Sequence, residues 1–524
     1  MRGLNDITLV REMTKPLLMV SVFSSLGGMS FGLDNAYWGG LLGMKQFAKD
    51  FGTLDELTGE YSIPTTWQSA GSGTPLAGVA LGCLLAAPLS ARFGRKISFY
   101  VLNVIALVGI VLQASAFSYW QITVGRIINS ISMGIICNVV PTYQNECAPA
   151  AIRGAAINFY QFWQLLGALL ATIINYVCSN RTDQWAYRTV MVCQFAIPII
   201  LLIGAYFLPE SPRWLLIKDR DTEAEKIMQW LRIGTHTEVV KEELHLIKLA
   251  IEQQRELHYA ASYLDCFRGT NRRRTLIAAG VQCFQQFQGA QFILNYVYIF
   301  LAEIGVENTY QIGIYLYLVN LISAGCAFYM ADKFGRRPIL AVGALVMCAS
   351  MFVVGGLAGV AGAKTSAQQN GALAALFVWL AFQAIAWGSC VWITCAEVGT
   401  AQLREKTITI ATFLGFCSSI LVTYVSPYLQ NKGYGNLQGN IGFVWGGLSA
   451  LSLAFVIFYV PELKGRSLEE LDDMFQQKVS VFKFGKYRSV QGIGTIITQT
   501  EKKDAVLDKD AFSVEEKSVD PSVA

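Results

Sequence analysis

Stretches of twenty or more mostly apolar residues recur along the chain, separated by short polar segments. Twelve are visible, near 17–42, 70–91, 97–118, 121–143, 155–178, 187–208, 275–301, 310–331, 338–359, 371–395, 407–428 and 441–460. A bilayer core takes roughly 20 helical residues to cross, and backbone N–H and C=O groups inside it must be paired within the segment, so each run predicts a transmembrane helix. The first run is too long for the apolar core of a cleavable signal, and Asp34 interrupts it with no small-residue cleavage site following. Between the sixth and seventh runs, 209–273 is polar. There Ala224, Ile227, Met228 and Leu231 fall at i, i+3, i+4 and i+7, and Leu244, Ile247 and Ile251 continue the pattern. Both predict amphipathic helices lying on the membrane surface or against the bundle. From about Lys478 the chain turns polar, and the charged stretch Glu501–Ala524 predicts disorder.

The two halves repeat. Arg92-Phe-Gly-Arg-Lys96 follows the second run and Lys333-Phe-Gly-Arg-Arg337 the eighth. Glu146 precedes Arg153 by seven residues, as Glu397 precedes Arg404, and Pro209-Glu and Pro461-Glu close the sixth and twelfth runs. The offsets, 333 − 92 = 241, 397 − 146 = 251 and 461 − 209 = 252, keep register across half the chain. The expected fold is therefore an all-α membrane protein of twelve helices in two six-helix halves, 17–208 and 274–460, with a terminal segment 1–16, a helical loop 209–273 and a tail 461–524. Parallel six-helix repeats place a substrate near the midplane between the halves. With the N-terminus cytoplasmic, the outer loops hold only Lys45, Lys49, Arg181, Lys364 and Lys432, so both termini are expected inside a plasma membrane. The single N-x-S/T sequon, at Asn180, then falls outside.

Composition removes other classes. Charged residues make up 15% of the chain and hydrophobic ones 53%, with mean hydropathy +0.41; a soluble chain carries about 25% charged residues. A net charge of +4 from 41 basic and 37 acidic residues gives no nucleic-acid signature. The twelve Cys form no CxxC pair and mostly sit in apolar runs, and His236, His245 and His258 all lie in the polar loop. No metal or cofactor and no enzyme is expected, for want of a nucleophile, metal or phosphate-binding constellation.

The motifs carry a resemblance. Phe31-Gly-Leu-Asp34, Gly125-Arg126, Pro141-Thr-Tyr-Gln-Asn-Glu-Cys-Ala-Pro149 with Arg153-Gly154, Pro209-Glu-Ser-Pro-Arg-Trp-Leu215, Gln285-Gln-Phe-Gln-Gly289 and Pro461-Glu-Leu-Lys-Gly-Arg-Ser467 resemble the sugar porter family of the major facilitator superfamily from about Phe31 to Phe475. Tyr263–Thr275 is similar to the corresponding loop of fungal α-glucoside permeases.

Asp34 is the most informative side chain, because a carboxylate inside an apolar helix costs about 2.5–3.5 kcal/mol even on insertion scales and needs a partner or a function. Arg126 is its expected partner, since both lie roughly 8–12 Å below the outer surface at 1.5 Å per residue. The pair reads either as a structural salt bridge or as a proton switch. The resemblance favours the switch, with the proton as coupling ion, because proton-driven sugar porters carry Asp here and facilitative glucose transporters Asn.

Gln161 and Gln164 share a helix face, and hydroxyl recognition calls for amides and aromatics. The resemblance implies that Gln161, Gln164, Gln285, Gln286, Gln291, Asn295 and Trp392 contact a sugar. It also implies a cytoplasmic charge network locking the outward-open state, built from Arg92, Arg95, Glu146, Arg153, Glu210, Arg213, Asp332, Arg336, Glu397 and Arg404, with Ala91 replacing the usual Asp of the first half. Ser389 replaces a tenth-helix Pro, and Gly415 and Ser419 replace amides of the eleventh helix, which predicts an enlarged pocket.

The expected function is proton-coupled uptake of a hexose, pentose, α-glucoside or related polyol by a monomer in the lipid bilayer. The alternatives are a non-transporting sugar sensor, against which the roughly 60 residues after Pro461 argue, and a proton-coupled exporter of a metabolite. The fifth helix, Asn158–Gly167, lacks the Gly- and Pro-rich run of such exporters.

Overall fold

The computed structural model describes residues 13–486 apart from 55–58, 60, 150–152, 260–261, 361–363, 401–402, 432 and 465–467. The side chains of 151–158, 250, 253–261, 328–329, 331–332, 465–469 and 485–486 are likewise outside the described residues, which leaves out those of Arg153 and Asp332, and the expectation about the tail beyond 486 falls outside them too.

The first half comprises α1 (Lys15–Leu42), a short α2 (Lys45–Phe51), α3 (Thr65–Phe93), α4 (Arg95–Ala114), α5 (Tyr119–Cys147), α6 (Arg153–Ser179), and a sixth span built from α7 (Trp185–Cys193) and α8 (Ala196–Gly204). Between α2 and α3, β1 (Thr53–Leu54) pairs antiparallel with β2 (Tyr61–Ser62). The polar loop forms α9 (Pro212–Ile217), α10 (Asp221–Leu231) and α11 (Thr237–Tyr259). The second half runs α12 (Gly269–Phe287), α13 (Ala290–Glu303), α14 (Thr309–Phe334), α15 (Arg336–Ala358), α16 (Ser366–Phe382), α17 (Cys390–Val398), α18 (Arg404–Gln430) and α19 (Ile441–Tyr459), and α20 (Leu468–Gln476) follows.

Eleven of the helical spans among the described residues are long and apolar enough to cross a membrane. The twelfth, the run at 275–301, is there but broken: α12 ends at Phe287 and α13 begins at Ala290. The sequence expectation of one continuous helix is corrected at this point. Gly289 takes φ +92°, and a Cβ there would lie 2.9 Å from Trp445 Cγ, so both backbone and packing require glycine. Half-exposed apolar side chains such as Val104, Val108 and Val111 on α4 and Phe413 and Leu421 on α18 face outward, where only lipid makes apolar exposure favourable. The chain is a multi-pass membrane protein.

The amphipathic loop helices lie against the first half rather than apart from it. Ala224, Met228 and Leu231 of α10 are buried. The Leu231 carbonyl accepts Thr14 Oγ1 at 2.6 Å, and Arg232 Nη1 donates to the Cys147 carbonyl at the end of α5, 3.0 Å away. Leu244 and Ile251 of α11 pack with Trp214, Leu215 and Met228.

The internal repeat holds at atomic detail. Glu210 accepts the N–H groups of Arg95 (2.8 Å) and Lys96 (3.2 Å) that open α4, and Arg95 Nη2 pairs with Glu146 at 2.6 Å. In the second half Glu462 accepts the N–H groups of Arg336 (3.0 Å) and Arg337 (3.2 Å) that open α15, and Arg336 Nη2 pairs with Glu397 at 2.9 Å. Each carboxylate thus caps a helix whose first N–H groups have no partner of their own. The turn that allows it is Gly94 (φ +91°) or Gly335 (φ +93°), where a Cβ would run into the capping carboxylate. Gly94→Ala and Gly335→Ala should each lower stability by about 1–3 kcal/mol, read as similar drops in melting temperature of the detergent-purified protein. A large drop in one and none in the other would contradict the equivalence of the halves.

Candidate functional site

The site grows out of two interrupted spans. In the seventh, the break frees backbone groups in mid-membrane and brings amides with it. Gln285 Nε2 donates to the Trp387 carbonyl at 2.6 Å, Gln286 Nε2 to Gln285 Oε1 at 3.2 Å, Gln291 Nε2 to Gln286 Oε1 at 3.2 Å, and Asn295 Nδ2 to the Gln291 carbonyl at 3.0 Å. Gln288 is turned the other way and donates to Ser452 Oγ at 2.6 Å. In the tenth span, Gln383–Gly388 forms a π-helical turn between α16 and α17. Such turns open i→i−4 pairing and cluster at functional sites. The helix is therefore interrupted without the proline that Ser389 replaces, and Gln285 takes up the Trp387 carbonyl there.

Beside these breaks lies a cavity of about 540 Å³ with walls from both halves. Asn35 of α1 and Gln161 and Gln164 of α6 line one side; Tyr317 and Asn320 of α14, with Trp379, Gln383 and Trp392, line the other. Of the seven expected substrate residues, Gln161, Gln164 and Trp392 reach the cavity wall, whereas Gln285, Gln286, Gln291 and Asn295 form the amide chain at the break and the wall there is made by Ala290, Ile293 and Leu294. Asn320 and Gln383 were missed by the sequence reading; both are amides inside apolar runs, and an inventory of every such amide would have found them. The expected enlargement at the eleventh helix is corrected. A Cβ on Gly415 would meet Gln282 Oε1 at 3.2 Å and its Cβ at 3.3 Å, so a glutamine from α12 fills the space. Gln282 is buried and its Nε2 has no hydrogen-bond partner.

Asp34 and Arg126 are both buried, but the expected ion pair is not formed in this conformation. Asp34 Oδ1 accepts Asn129 Nδ2 at 2.7 Å. Arg126 donates to the Gly71 carbonyl and lies over the Trp38 ring, 4.0 Å from its centroid, with Tyr37 at 5.5 Å. The guanidinium is held by an aromatic face and a carbonyl, although its Nε is buried without a partner, and an amide one helical turn along α5 holds the carboxylate.

The hydrogen bonds that join the halves gather at the face away from the basic loops. Tyr310 Oη donates to the Gly40 carbonyl (2.8 Å), Asn431 Nδ2 to Thr65 Oγ1 (2.9 Å), and Tyr296 Oη to the Gln68 carbonyl at the longer distance of 3.5 Å. At the basic face, Arg95–Glu146 lies within the first half and Arg336–Glu397 within the second, and Arg274 of α12 pairs with Asp472 of α20. Of the other expected network members, Arg92 is exposed and lies over Phe93 (5.4 Å to the centroid), Arg213 sits in α9, and Arg404 opens α18 close to Gly399. The main chain of Ala91, the departure in the first half, accepts Trp214 Nε1 at 3.1 Å.

Two repeated six-helix halves, broken spans and a midplane cavity between them define a secondary transporter of the major facilitator fold. The chain belongs to the sugar (and other) transporter family, whose sequence profile matches residues 20–475. It is 32% identical over 475 residues to the major facilitator-type transporter ecdD of Aspergillus rugulosus, covering 88% of each chain. It is 30% identical to the probable glucose transporter rco-3 of Neurospora crassa, covering 88% of this chain and 80% of that one. The xylose transporter XylE from E. coli in an inward-open conformation superposes with a TM-score of 0.73 at 25% identity, covering 87% of this chain and 99% of that one.

The two kinds of glutamine separate experimentally. Gln285→Ala leaves the Trp387 carbonyl buried and unpaired and should cost about 1–3 kcal/mol of stability. Gln161→Ala, at an exposed cavity wall, should change stability by no more than about 0.5 kcal/mol. Thermal unfolding of both purified variants checks the contrast, and equal effects would contradict the assignment.

Proposed function

We propose that the protein takes up a neutral sugar or polyol across the plasma membrane by alternating access, coupled to inward proton movement through Asp34, as a monomer with both termini cytoplasmic. The observation that carries the reading is the cavity wall: amides and aromatic rings from both halves, and no charged side chain among its lining residues. An ionic substrate in such a site would lack the counter-charge its desolvation demands, whereas hydroxyl groups match amide donors and acceptors and a pyranose ring stacks on Trp392. Proton coupling is supported by Asp34, a buried carboxylate with a neutral partner, beside a cation it does not touch, and by the likeness to the XylE structure described as a proton:xylose symporter, with a TM-score of 0.69 at 25% identity. The hydrogen bonds that join the halves at the face away from the basic loops fit the inward-facing step of the cycle.

The test is radiolabelled uptake of D-glucose, D-xylose, maltose and sorbitol in yeast lacking its own hexose transporters, with and without an uncoupler. At least one compound should accumulate, and the uncoupler should abolish accumulation. Asp34→Asn, with surface expression measured alongside, should lose accumulation while still exchanging label downhill. A well-expressed Asp34→Asn protein that concentrates its substrate would overturn the proton assignment; no uptake of any compound by the unaltered protein would favour a sensor.

A further inference from the structure

We propose that Asn129 is a positioning residue for the proton step: it holds the Asp34 carboxylate while Asp34 and Arg126 are apart, and so tunes the proton affinity of Asp34 in this conformation. The proposal rests on the reading of Asp34 as the coupling site and assigns it a second partner.

The geometry leaves Asn129 little freedom. It is fully buried, and its backbone is pressed against Gly109, where a Cβ would meet Asn129 N at 2.6 Å and Asn129 Cβ at 2.8 Å. Its amide nitrogen faces two acceptors, Asp34 Oδ1 at 2.7 Å and, at the margin of hydrogen bonding, Gln194 Oε1 at 3.5 Å. Two acceptors in front of one NH₂ group fix the nitrogen, not the oxygen, toward the carboxylate. Gln194 sits where the sixth span is interrupted, between Cys193 at the end of α7 and Ala196 at the start of α8, and its own Nε2 is buried without a partner. The charged and titratable groups facing Asp34 are Arg126 of α5 and the Tyr37 phenol of its own helix; α4 and the sixth span bring the amides of Gln113 and Gln194.

One helix therefore offers the carboxylate two partners a turn apart, a guanidinium at 126 and an amide at 129. The amide is engaged here, while the guanidinium is held by Gly71 and Trp38. A neutral donor stabilises a carboxylate less than a cation does, so passing Asp34 from one partner to the other changes its proton affinity. Without Asn129, Asp34 released from Arg126 would face an unpaired site.

The test reads Asp34 directly and does not depend on the substrate. In purified protein in liposomes, the infrared carbonyl band of the protonated carboxyl, identified by its loss in Asp34→Asn, is titrated with pH. Asn129→Val removes the donor, and Asn129→Thr keeps a hydroxyl donor in the same shape. Losing one donor makes a carboxyl keep its proton to higher pH, so the Val midpoint should rise by about one pH unit, a tenfold change in proton affinity, and Thr should lie nearer the unaltered protein. Equal midpoints for Val and Thr, or a Val midpoint equal to the unaltered one, overturn the proposal; if Val is not recovered folded, Asn129→Ala is judged by the same criterion. A band in the unaltered protein that does not titrate between about pH 4 and pH 9 would sink the proton assignment itself, which separates the two failures.

Discussion

A helix that breaks inside a membrane must find partners for the backbone groups it frees, because lipid supplies none. That constraint organises the second half of this molecule. The tenth span opens into a π-helical turn, and Gln285 from the seventh closes on the exposed Trp387 carbonyl. The seventh span opens at Gly289, and Gln288 beside the break reaches back to Ser452. The interruption of the tenth span is thus satisfied by a side chain from the seventh, so the two broken spans are mechanically linked. The cavity occupies the space they create, with unbroken α6 and α14 completing its walls.

The same accounting governs the charges. At the basic face the carboxylates of Glu210 and Glu462 are held by N–H groups at helix starts within their own half. Deep in the first half, Asp34 and Arg126 each have a neutral partner. A guanidinium resting on an aromatic face and a carboxylate on an amide are both weaker arrangements than a direct ion pair.

Much of this was legible in the sequence. The twelve runs, the duplicated Glu and Arg positions and Asp34 all declare themselves through hydropathy, register or a charge where none belongs. What escaped was pairing. Asn129 and Gln194 look like any amide in an apolar run, because a 3.6-residue period says which face a residue occupies but not which helix it meets. The deletion of side chains at Gly415 read as empty space, since a sequence does not reveal that Gln282 on another helix fills it. The loss of proline before Cys390 read as a departure, yet the interruption persists because a π turn with a borrowed amide achieves it. Gln285 and Gln161 belong to one expected group and take different work, one tied to a carbonyl and one on the cavity wall.

The closure away from the basic face uses a tyrosine hydroxyl on a carbonyl and an asparagine amide on a threonine hydroxyl, with a further tyrosine close by. None of these groups carries charge across the seam, so dissolved salt has nothing there to screen and acid nothing to neutralise over the range in which microbes grow. A gate of this kind keeps the same grip in brine, in ripe fruit or in fresh water. The seal shares no residue with the buried carboxylate deeper in the first half, so the two can be altered independently.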